Sequence, residues 1–195
     1  MKTFDFNEKL EFSLGAHEDF DIGILQRIFK FADIKKTDEE TDRKTGVDYI
    51  ATLRKGGTVN IDAKTREPGA SKFWKFNPNQ EPELALEIWS AKPVDGNKGK
   101  AGWTLDESSN VDYILYTFDK SDTNKFYFIP LQLLRISYLE HYNEWNAKYK
   151  HGKQYTTKSG SGWHSECIFV PASVILSEIN KHMQGELTVC MSKPA

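Results

Sequence analysis

Gly46-Val47-Asp48-Tyr49-Ile50-Ala51-Thr52-Leu53 and Val59-Asn60-Ile61-Asp62-Ala63-Lys64-Thr65-Arg66 flank the short run Lys55-Gly56-Gly57. Two runs rich in β-branched and aromatic residues around a Gly-Gly pair predict an antiparallel hairpin, with strands over 47–53 and 58–65. Side chains alternate along a strand, so Val59, Ile61 and Ala63 share one face, and Asn60, Asp62 and Lys64 share the other. Pairing with the first strand can bring Asp48 towards Asp62. Two carboxylates converging on one point repel each other, and a hard cation such as Mg²⁺ between them relieves that repulsion. A lysine beside the cation can orient or help deprotonate an attacking water while the metal stabilises charge on a phosphate. The plain structural alternative is that Asp48 caps a strand while Asp62 and Lys64 form a surface pair worth little.

Outward from the hairpin, Ile24, Leu25, Ile28 and Phe31 recur at helical spacing behind the acidic start Glu18-Asp19, so 20–31 reads as an amphipathic helix. The stretch 35–45 is too charged to be core. Residues 84–91 read as a strand with Leu84, Leu86 and Ile88 on one face and Glu87 on the other, joining the hairpin's sheet. Residues 111–118, almost entirely apolar or aromatic, read as a central strand buried on both faces. The last third repeats one pattern twice: Phe126–Ile129 stops at Pro130 and passes into a helix to about Tyr149, and Cys167–Val170 stops at Pro171 and passes into a helix over Ser173 to about Met183. The expected fold is mixed α/β (α+β), a central mixed β-sheet with an early antiparallel hairpin and flanking helices.

Composition narrows the field. A chain of 195 residues fits a single domain over 1–195, and 38% hydrophobic with 28% charged residues is an ordered, soluble balance. With 26 Lys+Arg against 28 Asp+Glu the formal charge is −2, which excludes a globally basic nucleic-acid binder but not a local basic patch. Two cysteines, Cys167 and Cys190, exclude a disulfide scaffold or a Cys-rich zinc module. The first residues lack the apolar run of a signal peptide and no stretch approaches a membrane span, so the expected location is cytoplasmic. No phosphate-binding glycine motif occurs, and the histidines show no ligand spacing.

Asp48, then Asp62-Ala63-Lys64 at the end of a strand, resembles the PD-(D/E)XK nuclease superfamily, the restriction-endonuclease-like fold. The strings Asp42-Arg43-Lys44-Thr45-Gly46-Val47-Asp48-Tyr49, Glu87-Ile88-Trp89-Ser90 and Gly102-Trp103-Thr104 resemble uncharacterised phage and bacterial members. The resemblance spans about 19–118, with strand–helix additions over 126–185. Val47 stands where the family's proline would be. By this resemblance Asp48 and Asp62 are metal ligands with the Ala63 carbonyl as a third oxygen, Lys64 is the catalytic lysine, and the cofactor is Mg²⁺ or Mn²⁺. Further expectations are a metal-proximal Glu87 and a supporting carboxylate from Glu18, Asp19 or Asp21. Asp42 and Asp112 are weaker candidates, the first in a solvated charge run and the second as a strand cap. The implied activity is phosphodiester hydrolysis in nucleic acid, DNA ahead of RNA. The alternative is an inactive module of the same fold that binds nucleic acid or a protein.

For substrate contact the sequence offers Arg66 just past the lysine, and Lys72 and Lys75 with Lys92, Lys98 and Lys100 on later loops. It also offers Lys153 and Lys158 within the basic, aromatic segment 147–164, which reads as a mobile loop able to follow a phosphate backbone. Leu134, Tyr138, Tyr142, Trp145 and Tyr149 recur at helical spacing, a stripe that is core or a homodimer surface.

Overall fold

The hairpin is the centre of a five-stranded mixed sheet. A computed structural model describes residues 18–30, 32–66, 81–92, 98–118, 126–155 and 164–191. Strand β2 (Tyr49–Thr52) pairs antiparallel with β3 (Thr58–Thr65) in the register Tyr49↔Ile61 to Thr52↔Thr58. The turn between them needs two successive residues at positive φ, and Gly56 (+88°) and Gly57 (+91°) supply them. Strand β1 (Asp33–Lys36) adds to the free edge of β2, and β6 (Tyr113–Thr117) runs parallel to β3 and carries β7 (Phe126–Pro130) antiparallel beyond it. The order is therefore β1-β2-β3-β6-β7. The central, apolar β6 is buried from Ile114 to Thr117, as its composition demands.

Helix α1 (Glu18–Ile28) covers one face of this sheet: its fully buried Ile24 and Leu25 lie on Tyr49, Ala51, Ile61 and Leu115. Burying each such aliphatic side chain contributes about 1.5–3 kcal/mol before entropy is counted. Its acidic first turn and Arg27 in the last turn both suit the helix dipole. Gly23 lies inside α1 with nothing within 4 Å of where a Cβ would stand. Gly23→Ala is therefore expected to raise stability by about 0.5–1 kcal/mol, read as a higher urea midpoint at unchanged slope.

The charged stretch after α1 is more ordered than its composition predicts. Its end forms α2 (Glu39–Thr45), with no buried residue. Asp38 caps it by accepting the Thr41 N–H at 2.8 Å, and Gly46, at φ +71°, ends it by donating to the Asp42 carbonyl.

A second sheet, order β5-β4-β9-β8, holds β4 (Glu83–Ala91), β5 (Lys100–Ala101), β8 (His151–Tyr155) and β9 (His164–Pro171). β4 thus pairs with β9, from Glu83↔Pro171 to Trp89↔Glu166, and not with the hairpin's sheet as its sequence predicts. The helices are α3 (Leu131–Glu140), α4 (Tyr142–Lys148) and α5 (Ala172–Met191). The single helix expected over 131–149 is broken at His141, where φ and ψ are −102° and 16°. Tyr138 and Trp145 of the aromatic stripe are buried and Tyr142 is exposed. Segment 147–164, expected as a loop, contributes the end of α4 and the strand β8.

The chain divides into two compact units. One comprises residues 1–77, 106–131 and 155–163 and contains the first sheet; the other comprises 78–105, 132–154 and 164–195 and contains the second. No described helix is long and apolar enough to cross a membrane.

Candidate active site

Asp48 stands one residue before β2, where the hairpin ladder stops. Its N–H donates to the Ile61 carbonyl (2.9 Å) and its Oδ2 accepts the Ala63 N–H (2.7 Å). The carboxylate therefore takes an amide of β3 that β2 no longer reaches. Two bonds thus tie Asp48 to the neighbouring strand.

Alternation along β3 places Asp62 and Lys64 on one face, as expected, and Lys64 Nζ donates to Asp62 Oδ1 at 2.7 Å. Asp62 is almost wholly buried, at 4% exposure, whereas the Lys64 side chain is 36% exposed. Burial pushes the Asp62 carboxyl up to about 8, the adjacent Lys64 ammonium offsets part of that rise, and the charge of Asp48 and a hydrogen bond between the two carboxyl groups raise it further. Asp48 and Asp62 thus face each other, and their closeness favours the protonated form of Asp62.

Of the three acids at the start of α1, Asp21 is the one that meets Tyr49. It is buried, its Oδ2 accepts the Tyr49 hydroxyl at 3.0 Å, and its Oδ1 has no partner among the described residues. Burial raises it to about 6, the Tyr49 hydrogen bond opposes that rise, and the charge of Asp48 adds to it. Glu18 instead lies 3.5 Å from Lys36, and Asp19 is exposed. Asp42, on α2, is also raised, first by partial burial and then by Asp48, against Lys64 and Lys36. The stretch read as solvated thus lends a carboxylate to the electrostatics of the site. Asp112, the other weaker candidate, stands one residue before β6, its Oδ2 accepting the Asn60 N–H at 2.8 Å.

Glu87, on β4, belongs to the second unit, where its Oε2 accepts the Trp103 N–H at 3.4 Å. Arg66 is half-buried just past β3, its N–H bonded to the Thr117 carbonyl. Lys153 is exposed on β8, Lys98 and Lys100 are exposed, and Lys92 is ion-paired with Glu166. Lys72, Lys75 and Lys158 lie outside the described residues. Tyr49 and Thr37, which also holds the Asp48 backbone, are not singled out by sequence reasoning.

Could this donor set hold a metal? Among the described residues no three His, Cys, Asp or Glu side chains converge closely enough to do so. Mg²⁺, however, is commonly held by one or two carboxylates and keeps several waters. The facing pair Asp48 and Asp62, hard oxygen donors that repel without a proton or cation between them, fits that requirement. No family model, curated protein or solved structure matches the chain.

Proposed function

We propose that this protein is a divalent-cation-dependent nuclease of the PD-(D/E)XK type, hydrolysing phosphodiester bonds in DNA and, as a second substrate, RNA. The observation that carries the reading is the juxtaposition of Asp48, Asp62 and Lys64, with Lys64 Nζ 2.7 Å from Asp62. Asp48 and Asp62, with the Ala63 carbonyl, would hold Mg²⁺ or Mn²⁺. Bound there, the ion supplies charge neutralisation at the phosphate and a more acidic water. The chain's own residues do the rest. The buried acids give a low-dielectric floor on which electrostatic interactions are strong. Lys64 reaches from that floor into solvent, where its ammonium can hold a phosphate oxygen and orient the water that attacks in line with the leaving oxygen. Arg66 follows two residues later as a bidentate phosphate donor, and Lys72, Lys75 and Lys158 would be further backbone contacts. A homodimer with Tyr142 at its surface and a cytoplasmic location complete the proposal.

The same ion pair supports a second reading. Lys64 and Asp62 satisfy each other, as they would in a non-catalytic module that binds nucleic acid or a protein on this fold. Single- and double-stranded DNA and RNA incubated with Mg²⁺, Mn²⁺ or EDTA separate the two. The nuclease is expected to cleave only with metal and to lose about 10²–10³-fold in rate in both Asp62→Ala and Lys64→Ala. No cleavage of any substrate, with no heat of metal binding in calorimetry, selects the binding module.

A further inference from the structure

We propose that Thr37 is a positioning residue whose hydroxyl sets the backbone that carries Asp48 and so aims the Asp48 carboxylate at Ala63 and Asp62. The functional consequence rests on the nuclease reading; the positioning itself does not. The ladder between β1 and β2 ends at Lys36↔Tyr49, so strand pairing alone does not hold Asp48. Thr37 extends the hold by one residue with two groups. Its N–H donates to the Asp48 carbonyl at 2.9 Å, and its Oγ1 lies 2.5 Å from the Val47 carbonyl and 3.2 Å from the Asp48 carbonyl. From the opposite side, Ile61 on β3 accepts the Asp48 N–H.

The peptide groups before and after the Asp48 Cα are thus both pinned, and with them φ, ψ and the direction of Cα–Cβ. Only with that direction fixed does Oδ2 reach the Ala63 N–H at 2.7 Å. Removing the hydroxyl frees the Val47 carbonyl, in a residue only 3% exposed, and lets the Val47–Asp48 peptide rotate towards another donor. A carboxylate that must sit within about 0.5 Å of a productive position cannot tolerate such freedom. Glycine at 46, in the left-handed conformation, and the Thr45 Oγ1 that accepts the Val47 N–H at 3.3 Å shape the approach to Asp48 but leave its carbonyls to Thr37.

Thr37→Val keeps the branched shape and removes only the hydroxyl, whereas Thr37→Ser keeps the hydroxyl. In the metal-free protein, hydrogen exchange at the Ala63 amide, normalised to the Asn60 and Leu115 amides, is expected to quicken about tenfold in Thr37→Val and to return to wild type in Thr37→Ser. Mn²⁺ affinity is expected to fall about 10–100-fold in Thr37→Val, with kcat falling similarly, KM nearly unchanged and Thr37→Ser restoring both. A merely structural threonine would lower the melting temperature and leave Ala63 exchange, Mn²⁺ affinity and kcat where they were; that result overturns the proposal. Should the wild-type protein neither bind Mn²⁺ nor cleave, the nuclease reading fails by itself, and Ala63 exchange still decides whether Thr37 aims Asp48.

Discussion

Asp62→Asn is expected to give a protein that is more stable than wild type in mild alkali and inactive as a nuclease. The Asp62 carboxyl titrates near 3.8 when unperturbed and is pushed up to about 8 in the fold, chiefly by burial. Between those values the unfolded chain has released its proton and the folded chain has kept it. The folded state then binds more protons, so stability falls as pH rises. The favourable contribution of Asp62 is fully present below its unfolded value and is lost as pH climbs through about 8. Asparagine carries no such charge, so the variant should match wild type in acid and exceed it increasingly as pH rises. A tenfold change in proton affinity corresponds to about 1.4 kcal/mol, and the Asp62→Asn gain is on the order of a few kcal/mol near pH 8. Lys64 loses its bond to Asp62 in the variant, but its side chain is 36% exposed and can turn to water, so this offset is small. Asp21, raised to about 6, adds a slope of the same sign over a narrower range. Urea unfolding at about pH 5 and about pH 8 measures the effect. An Asp62→Asn protein no more stable than wild type at the higher pH would show that the carboxyl is ionised without cost. Cleavage by the variant at the wild-type rate would remove Asp62 from the chemistry.

How much of this is legible in the sequence follows from what each signal depends on. The hairpin is readable because its information is local: alternation sets the faces, two glycines set the turn, and β3 spans Thr58–Thr65 as the sequence predicts. The same locality places Asp62 beside Lys64. Partnership between strands distant in the chain is not local. Leu84, Leu86 and Ile88 announce a buried face of β4, but nothing in them says that Ile168 and Val170 of β9 lie alongside. The sequence therefore puts Glu87 in the wrong sheet. Strand β1 escapes a sequence reading because Asp-Ile-Lys-Lys offers one apolar residue, and its order comes from pairing with β2. The aromatic stripe carries its spacing straight through His141, so periodicity does not reveal the break between α3 and α4. The choice among Glu18, Asp19 and Asp21 does have a signal: Asp21 precedes Ile24 and Leu25 by three and four residues and shares their buried face. Thr37 has none. Its partners are backbone carbonyls, and sequence does not say where those point.

Gly102→Ala is expected to be the most damaging small substitution in the second unit, by about 3 kcal/mol or more. A Cβ built on Gly102 falls 2.3 Å from the Glu87 carbonyl oxygen, 2.5 Å from its carbon and 2.7 Å from Glu87 Cγ. Two of these three atoms are backbone, so no rotamer change relieves the clash. The surroundings cannot yield easily either. Gly102 donates to the Ile88 carbonyl at 2.9 Å, Thr104 to the Glu87 carbonyl at 3.3 Å, and Leu105 to Gly102 itself at 2.9 Å. Moving the segment outward far enough to admit a methyl group would strain several of these bonds. Glycine is required here by close approach and not by backbone conformation, since Gly102 is not at positive φ. The strand beneath is already irregular, with its register against β9 shifting between Glu87 and Trp89. Gly23→Ala, where a Cβ meets nothing, is the matched control, and the two variants should move the urea midpoint in opposite directions. A Gly102→Ala midpoint within experimental error of wild type would mean that the segment rides freely over β4. The expected loss gives the strings Glu87-Ile88-Trp89-Ser90 and Gly102-Trp103-Thr104 a packing reason to occur together, independent of any chemistry at Glu87. A Glu87→Gln protein then tests that carboxylate separately: it keeps an acceptor for the Trp103 N–H, so a loss of cleavage at unchanged stability would assign Glu87 to the reaction, and unchanged cleavage would leave it to the fold.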